Sequence, residues 1–326
     1  MARPRAASAY GRFLETVRAE GLLESGSRVL VALSGGADSV CLLDLLLAAR
    51  RELDIEVLAM HVNHGLRADA ASDEAAVRRL CGERDVSLTV ARRDVRRVAR
   101  TRGLSLEEAG REVRYEALER AARRLGCARV ALGHNAEDNL ETILLNIARG
   151  TGPAGVAGIP VRRGIFIRPL LDIDRESIRR HLVGRGIEWV EDESNRDPAF
   201  RRNLVRLQAL PALVAVNPAA ASNARRLSRT LATEDRYLDS RARECLDAVL
   251  CRPGRSRVDI VKLGRYDDVL QRRALRLLFP ALDMAAVDRA LELARGRPGR
   301  SADLGCGIRA RRVGAELVFE MEDSTS

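Results

Sequence analysis

The run VLVALSGGADSVCLLDLLLAAR (residues 29–50) decides how the rest of the chain is read. A Val/Leu stretch from Val29 to Leu33 stops at Ser34-Gly35-Gly36, and apolar positions at helical spacing begin after Ala37, Asp38 and Ser39. Short Val/Leu runs bounded by glycine read as strand, and recurrence at three and four residues reads as helix. A strand that turns on glycine into a helix leaves N–H groups pointing outward, which favours an anion. Asp38 stands at that helix start, where a carboxylate either caps the helix or holds a metal that escorts an anionic ligand. The loop is no Walker A sequence, because no Lys follows its last glycine, and it is not GxGxxG. What remains is a nest of N–H groups with two hydroxyls, Ser34 and Ser39, suited to phosphate oxygens.

Working outward, further strand-like runs fall at 55–62, 86–91 and 129–133, and helical patterns at 39–50, 69–84, 107–125 and 136–149. Strands alternating with such helices imply an α/β fold, a parallel sheet with helices on both faces, here assigned to a first domain over 1–215. Ligands of such sheets sit beyond the carboxyl ends of the strands. That edge carries SGGADS, then HVNHGLR (61–67), then GHNAEDNLET (133–142). A helix through HNAEDNLET would place His134, Asp138 and Glu141 on one face, at i, i+4 and i+7. Carboxylates from two strand ends converging with Asp38 favour a metal–phosphate site. Glu137 alone reads as a solvated helix charge, and His61 and His64 as hydrogen-bonding groups rather than metal ligands, since no third His or Cys lies nearby. Residues 150–164 are glycine-rich and loop-like, a helix fits 174–186, and 190–203 is polar and irregular. The region 216–326 is mostly helical and ends in an alternating pattern that predicts a small hairpin.

With 326 residues the chain has room for two domains, and a 46% hydrophobic content excludes disorder. No apolar stretch has the length of a membrane span, and the N-terminus lacks the apolar region of a signal peptide, so no membrane partner and a cytoplasmic location are expected. Six cysteines without a CxxC pair give neither a zinc knuckle nor a disulfide framework. Residues 1–200 carry a net +2 and residues 201–326 a net +8. A basic second part predicts a polyanionic partner held mainly there. Only 3% of residues are aromatic, so nucleic acid would be read through arginine and shape rather than by stacking. One lysine, Lys262, among 56 basic residues points to a coding bias, which explains Arg over Lys but not the net sign.

SGGADS after a first strand resembles the signature of the N-type ATP pyrophosphatases, which adenylate a substrate and release pyrophosphate. HVNHGLR, REVRYEAL (111–118), GHNAEDNLETILLNIARGTG (133–152), IRPLLDIDRESI (167–178) and DESNRDPAFRRNLVR (192–206) resemble, in order, the bacterial tRNA(Ile)-lysidine synthetase family. QRRALRLL and ADLGCGIRARR extend the likeness toward the C-terminus. The chain departs from the family at Glu137, where an aspartate is common, and at Leu304-Gly305-Cys306-Gly307, where Leu-Pro-Gly-Gly is usual.

The resemblance implies an adenine nucleotide alpha hydrolase-like fold and a two-step ligation. The wobble cytidine of an isoleucine tRNA with a CAU anticodon is adenylated, and free L-lysine then displaces AMP to give lysidine. It implies ATP in the loop Ser34, Gly35, Gly36, Ala37, Asp38 and Ser39, with Met60 and His134 also at the nucleotide. Mg²⁺ would sit on Asp38 and Asp138, and Arg114 would share the catalysis. Arg111, Tyr115 and Glu141 would face the base or lysine, and Arg201, Arg202 and Asn203 would clamp tRNA phosphate or ATP. The C-terminal domain 216–326 would bind tRNA; homodimerisation stays open.

Two rivals stand beside this reading. A tRNA thiolase of the same superfamily would want a catalytic cysteine or CxxC cluster, and Cys245–Cys251 does not supply one. A non-enzymatic RNA-binding protein would explain the basic C-terminal part but not the acidic residues, which weaken RNA binding.

Overall fold

The computed structural model describes residues 8–63, 70–191, 201–251 and 256–321. Its elements run α1 (Ala9–Ala19), β1 (Ser27–Ala32), α2 (Ala37–Ala49), β2 (Ile55–Asn63), α3 (Ala70–Glu83), β3 (Leu88–Arg92), α4 (Val95–Arg102), α5 (Leu106–Leu125), β4 (Arg129–Ala131) and α6 (Ala136–Ala148). There follow α7 (Pro153–Val156), β5 (Arg162–Arg163), β6 (Phe166–Ile167), α8 (Arg175–Gly184), α9 (Arg201–Leu204), a π-helical segment Val205–Ala209, α10 (Leu210–Val216) and α11 (Ala220–Val249). The last part holds β7 (Arg257–Asp259), α12 (Ile260–Leu263), α13 (Asp268–Leu278), α14 (Met284–Arg295), β8 (Ser301–Gly305), β9 (Ile308–Val313) and β10 (Glu316–Met321).

β1 is flanked on both sides by parallel partners, with Val31 opposite Ala59 of β2 and Ala131 of β4. A strand in that position is covered on both faces, which is why Val29, Leu30 and Val31 are fully buried and its pattern does not alternate. The sheet order is β3-β2-β1-β4-β6-β5, with only β5 antiparallel. The chain moves from β1 outward to β2 and β3, then returns to the other side of β1 with β4. That reversal puts the crevice for a ligand between the loops that follow β1 and β4.

α2 is apolar around its whole circumference, and Leu42, Leu45 and Leu46 are completely buried, as expected of a helix packed on every side. Its buried carboxylate, Asp44, is compensated by His181 Nε2 at 2.8 Å and Arg185 Nε at 3.0 Å, both reached from α8 and its end. An unpaired charge at this depth would cost several kcal/mol, so the α2–α8 contact depends on the pair. α1 covers the same layer through Phe13 and Val17.

The chain divides into two compact units, Met1–Thr230 and Leu231–Ser326, and the division falls inside α11. In the first, Arg225 of α11 is anchored on Asp172 at 3.0 Å. In the second, the terminal hairpin is larger than its sequence pattern implies. β10 pairs with β9 and also with β7, giving a four-stranded antiparallel sheet β7-β10-β9-β8. β7 is three residues long, too short to show alternation. No single helix among the described residues is long and apolar enough to cross a membrane.

Candidate active site

Asp38 does not cap α2. The N-cap is Gly36, which has no side chain to offer, and Asp38 instead accepts a hydrogen bond at Oδ1 from Asn135 Nδ2 at 3.0 Å. The turn before it is closed from inside by Ser39, whose hydroxyl accepts from the Ser34 amide at 3.1 Å and donates to the Gly36 carbonyl at 3.0 Å. Ser34 stays on the surface. Gly35 has φ +94°, a conformation that side-chain-bearing residues rarely adopt, and its carbonyl accepts from Val190 N at 3.0 Å. His61 is buried and its Nδ1–H donates to the Leu33 carbonyl at 2.9 Å, a hydrogen-bonding role. His64 and residues 192–200 lie outside the described residues.

From the β4 side, Gly133 presses against the backbone of Asp38 and Ser39. Asn135 then serves two purposes. Its Oδ1 accepts from the Asp138 amide at 2.9 Å while Asp138 Oδ2 accepts from the Asn135 amide at 3.1 Å, a capping box that starts α6. The same side chain reaches Asp38. One asparagine therefore couples the two carboxylates that the sequence placed on separate strand ends. Burial first, and the charge of Asp138 second, raise the Asp38 carboxyl to about 6. A divalent cation at Asp38 would offset the Asp138 charge that disfavours the ionised Asp38 carboxylate, and hard carboxylate oxygens are the donors that suit Mg²⁺.

Three guanidiniums close on Asp138 and Glu141. Arg175 Nη2 lies 2.9 Å from Asp138 Oδ1 and 2.8 Å from Glu141 Oε1. Arg202 Nε lies 2.9 Å from Glu141 Oε2, and Arg206 Nε 2.8 Å from Glu141 Oε1. Burial alone would raise the fully buried Glu141 carboxyl, but Arg206, Arg175 and Arg202 hold it below the usual range. Glu137 is no solvated charge: its Oε2 accepts from the Arg175 amide at 3.0 Å, and burial raises its carboxyl. It positions Arg175. Arg201 is exposed and Asn203 buried.

His134 is not on the face of α6. The helix begins at Ala136 with Asn135 as its cap, so His134 precedes it and belongs to a second cluster. There burial, followed by the charges of Arg114, Arg168, Arg202 and Arg111, holds its imidazole well below the ordinary value, leaving it neutral. The Arg111 and Arg114 guanidinium carbons lie 5.1 and 5.6 Å from the Tyr115 ring centre, and Arg168 Nη2 donates to the Tyr115 hydroxyl at 3.2 Å. Arg114 Nε, Arg168 Nε and His134 Nδ1 are buried with no hydrogen-bond partner among the described residues. Unsatisfied buried groups are costly, and three in one place mark a seat for acceptor-bearing ligand atoms. Met60 is buried in the core with Leu118 and Leu132, and its carbonyl accepts from the Leu33 amide at 2.9 Å.

Sequence reasoning missed Asn135, Gly133, Arg168, Arg175 and Arg206 as parts of the site. Asn135 and Asp138 three residues apart are a capping-box pattern, and that signal was available.

A glycine turn at a sheet reversal, with a coupled carboxylate pair beside it, defines a nucleotide-handling domain of the PP-loop class, and the PP-loop domain family matches residues 6–213. The tRNA(Ile)-lysidine synthase of Caldanaerobacter subterraneus subsp. tengcongensis is 31% identical over 94% of this chain and 68% of its own length. That of Clostridium acetobutylicum is 31% identical over 96% and 70%, and that of Porphyromonas gingivalis 43% identical over 65% and 46%. The chain belongs to the tRNA(Ile)-lysidine synthase family within the PP-loop class. Among solved structures, the U34-tRNA thiolase NcsA from Methanococcus maripaludis, with its [4Fe-4S] cluster, shares the fold at a TM-score of 0.57 and 17% identity, covering 68% of this chain and 78% of that one.

Proposed function

We propose that this chain ligates free lysine to carbon 2 of the wobble cytidine of a CAU-anticodon isoleucine tRNA, in two steps. The carbonyl oxygen on carbon 2 of the base attacks the α-phosphorus of ATP and pyrophosphate leaves. The ε-amine of lysine then attacks carbon 2 and AMP leaves, forming lysidine. The observation that carries the reading is the coupling of Asp38 to Asp138 through Asn135, beside the Ser34–Ser39 turn.

In this reading the turn seats the ATP phosphates, and Asp38 with Asp138 would hold Mg²⁺, which would supply positive charge for the departing pyrophosphate. Arg114, Arg168 and neutral His134 have unspent hydrogen-bonding capacity for the base or the nucleotide. Arg111 and Tyr115 flank that place. Glu141, Arg202, Asn203 and Arg201 serve the lysine and the anionic substrates. The basic region 216–326 contributes tRNA binding rather than chemistry.

The thiolase alternative needs an activated thiol. Cys41, on the helix that carries Asp38, is buried and its thiol is pushed up to about 12, the opposite of activation.

The test is pyrophosphate release from ATP with and without lysine and tRNA, followed by mass spectrometry of the nucleosides. Release that requires tRNA, stops at about one equivalent per enzyme-bound tRNA without lysine and turns over repeatedly with it, with cytidine gaining the mass of a lysyl group, is the expected result. Release independent of tRNA, repeated turnover without lysine, or a product carrying sulfur overturns the reading.

A further inference from the structure

The segment 92–102, RRDVRRVARTR, holds six arginines and one aspartate, a net +5 inside a 200-residue stretch whose total is only +2. α4 lies within it. Asp94 caps the helix, accepting from the Arg97 amide at 3.0 Å, and Val95 and Ala99 bury the other face against Ala109 and Val113 of α5. Arg93, Arg96, Arg97 and Arg100 are exposed and make no ion pair among the described residues. Several nearby carboxylates are engaged elsewhere. Glu74 is held by Arg92 and Arg78, Glu108 by the Ser105 capping box, and Glu112 and Glu116 by Arg102. Within α4, positions 96, 97 and 100 recur at helical spacing and form one stripe, and Arg93 precedes the Asp94 cap at the start of the helix. Like charges side by side repel, and among the described residues no carboxylate forms an ion pair with these four.

α4 begins where β3 ends, on the same sheet rim as the loops after β1 and β4. The helix it packs on, α5, also carries Arg111, Arg114 and Tyr115.

We propose that the Arg96, Arg97 and Arg100 face of α4, with Arg93 just before the helix, is an RNA-backbone contact inside the catalytic unit, gripping phosphates beside the target base of the tRNA. It rests on the lysidine synthase reading and adds a second electrostatic contact to the one expected from the C-terminal region. Guanidinium is suited to this because its planar fork pairs with two phosphate oxygens at once and never loses its charge. Such contacts position the polyanion without reading sequence.

The experiment compares full-length wild type, R96Q/R97Q/R100Q, R96Q/R97Q and the control R50Q/R51Q, whose exposed arginines lie at the opposite rim after α2. Binding of a CAU-anticodon tRNA transcript is measured against salt, and tRNA-dependent pyrophosphate release against tRNA concentration. Each lost phosphate contact lowers the log–log salt slope by roughly 0.7–0.9. The triple variant should lose about 2 in slope and about tenfold or more in apparent tRNA affinity, with kcat at saturating tRNA near wild type. R96Q/R97Q should exceed R50Q/R51Q in both losses. An unchanged slope in the triple variant, or equal losses in the two double variants, overturns the proposal while wild-type turnover leaves the functional reading standing. If wild type itself releases no pyrophosphate with tRNA and lysine, both fall together.

Discussion

Gly133 approaches Asp38 so closely that a Cβ on residue 133 would lie 3.0 Å from the Asp38 carbonyl carbon and 3.1 Å from its oxygen. The obstacle is backbone, which cannot swing aside as a side-chain tip does. Gly133→Ala should push the β4–α6 loop away from the start of α2. Overpacking of this kind costs about 1–3 kcal/mol, and separation of the two carboxylates should lower pyrophosphate release by about a hundredfold. Thermal melting and the release assay check both. An alanine variant with wild-type melting and turnover would mean that the close approach is dispensable.

Asp38 gives the apo protein a specific pH signature. Its carboxyl titrates near 6 in the folded chain and at its ordinary, lower value once unfolded. The native state therefore holds an extra proton between those values, and stability falls as pH rises through about 6. Asp38→Asn removes that penalty. It should raise stability at pH 7.5 by about 1–2 kcal/mol, discounted for the residue's partial exposure, and change little at pH 4. Denaturant midpoints at the two pH values decide this. Catalysis should carry the opposite signature, with kcat/KM dropping below about pH 6 and the acid limb moving lower as Mg²⁺ is raised.

Asp38→Asn and Asp138→Asn should each reduce turnover on the order of a hundredfold or more while the protein stays folded. The double variant should lose less than the product, because both carboxylates serve one ion. Glu137→Gln keeps an oxygen that can accept from the Arg175 amide and should be mild; Glu137→Ala removes it and should be clearly worse. Full additivity of the two aspartate changes would separate their roles.

The β8–β9 turn pairs Gly305 with Ile308 across Cys306-Gly307, and all of Gly305, Cys306 and Gly307 have positive φ, the cysteine at 53°. Two central residues with positive φ favour Asn-Gly. Cys306→Asn should therefore stabilise the unit Leu231–Ser326 by about 0.5–1 kcal/mol, seen by calorimetry of the full chain as a rise in the transition assigned to that unit.

The parallel sheet was legible because its inner strands are unbroken Val/Leu runs, and β1 and β2 fall within a residue or so of their expected limits. α4 was not, because only Val95 and Ala99 of its residues are buried, too few to write a period. β5 and β6, two residues each, leave no pattern at all. At the site, Asp38 and Asp138 could be paired by their positions on one sheet edge. Their coupler Asn135 could not be weighed without knowing where α6 begins, and that same uncertainty misplaced His134. Arg175 and Arg206 were hidden by abundance: among so many arginines, spacing alone does not single out the ones that fold back onto Glu141.

Every side-chain cation gathered around Asp138, Glu141 and Tyr115 is a guanidinium, and the unit Met1–Thr230 contains no lysine. Guanidinium stays protonated at any working pH and so offers no lone pair to an electrophile. A base activated for attack in such surroundings meets no side-chain amine of this unit. The incoming substrate would bring an ε-amine that this unit itself lacks, and the unit would be spared from modifying itself.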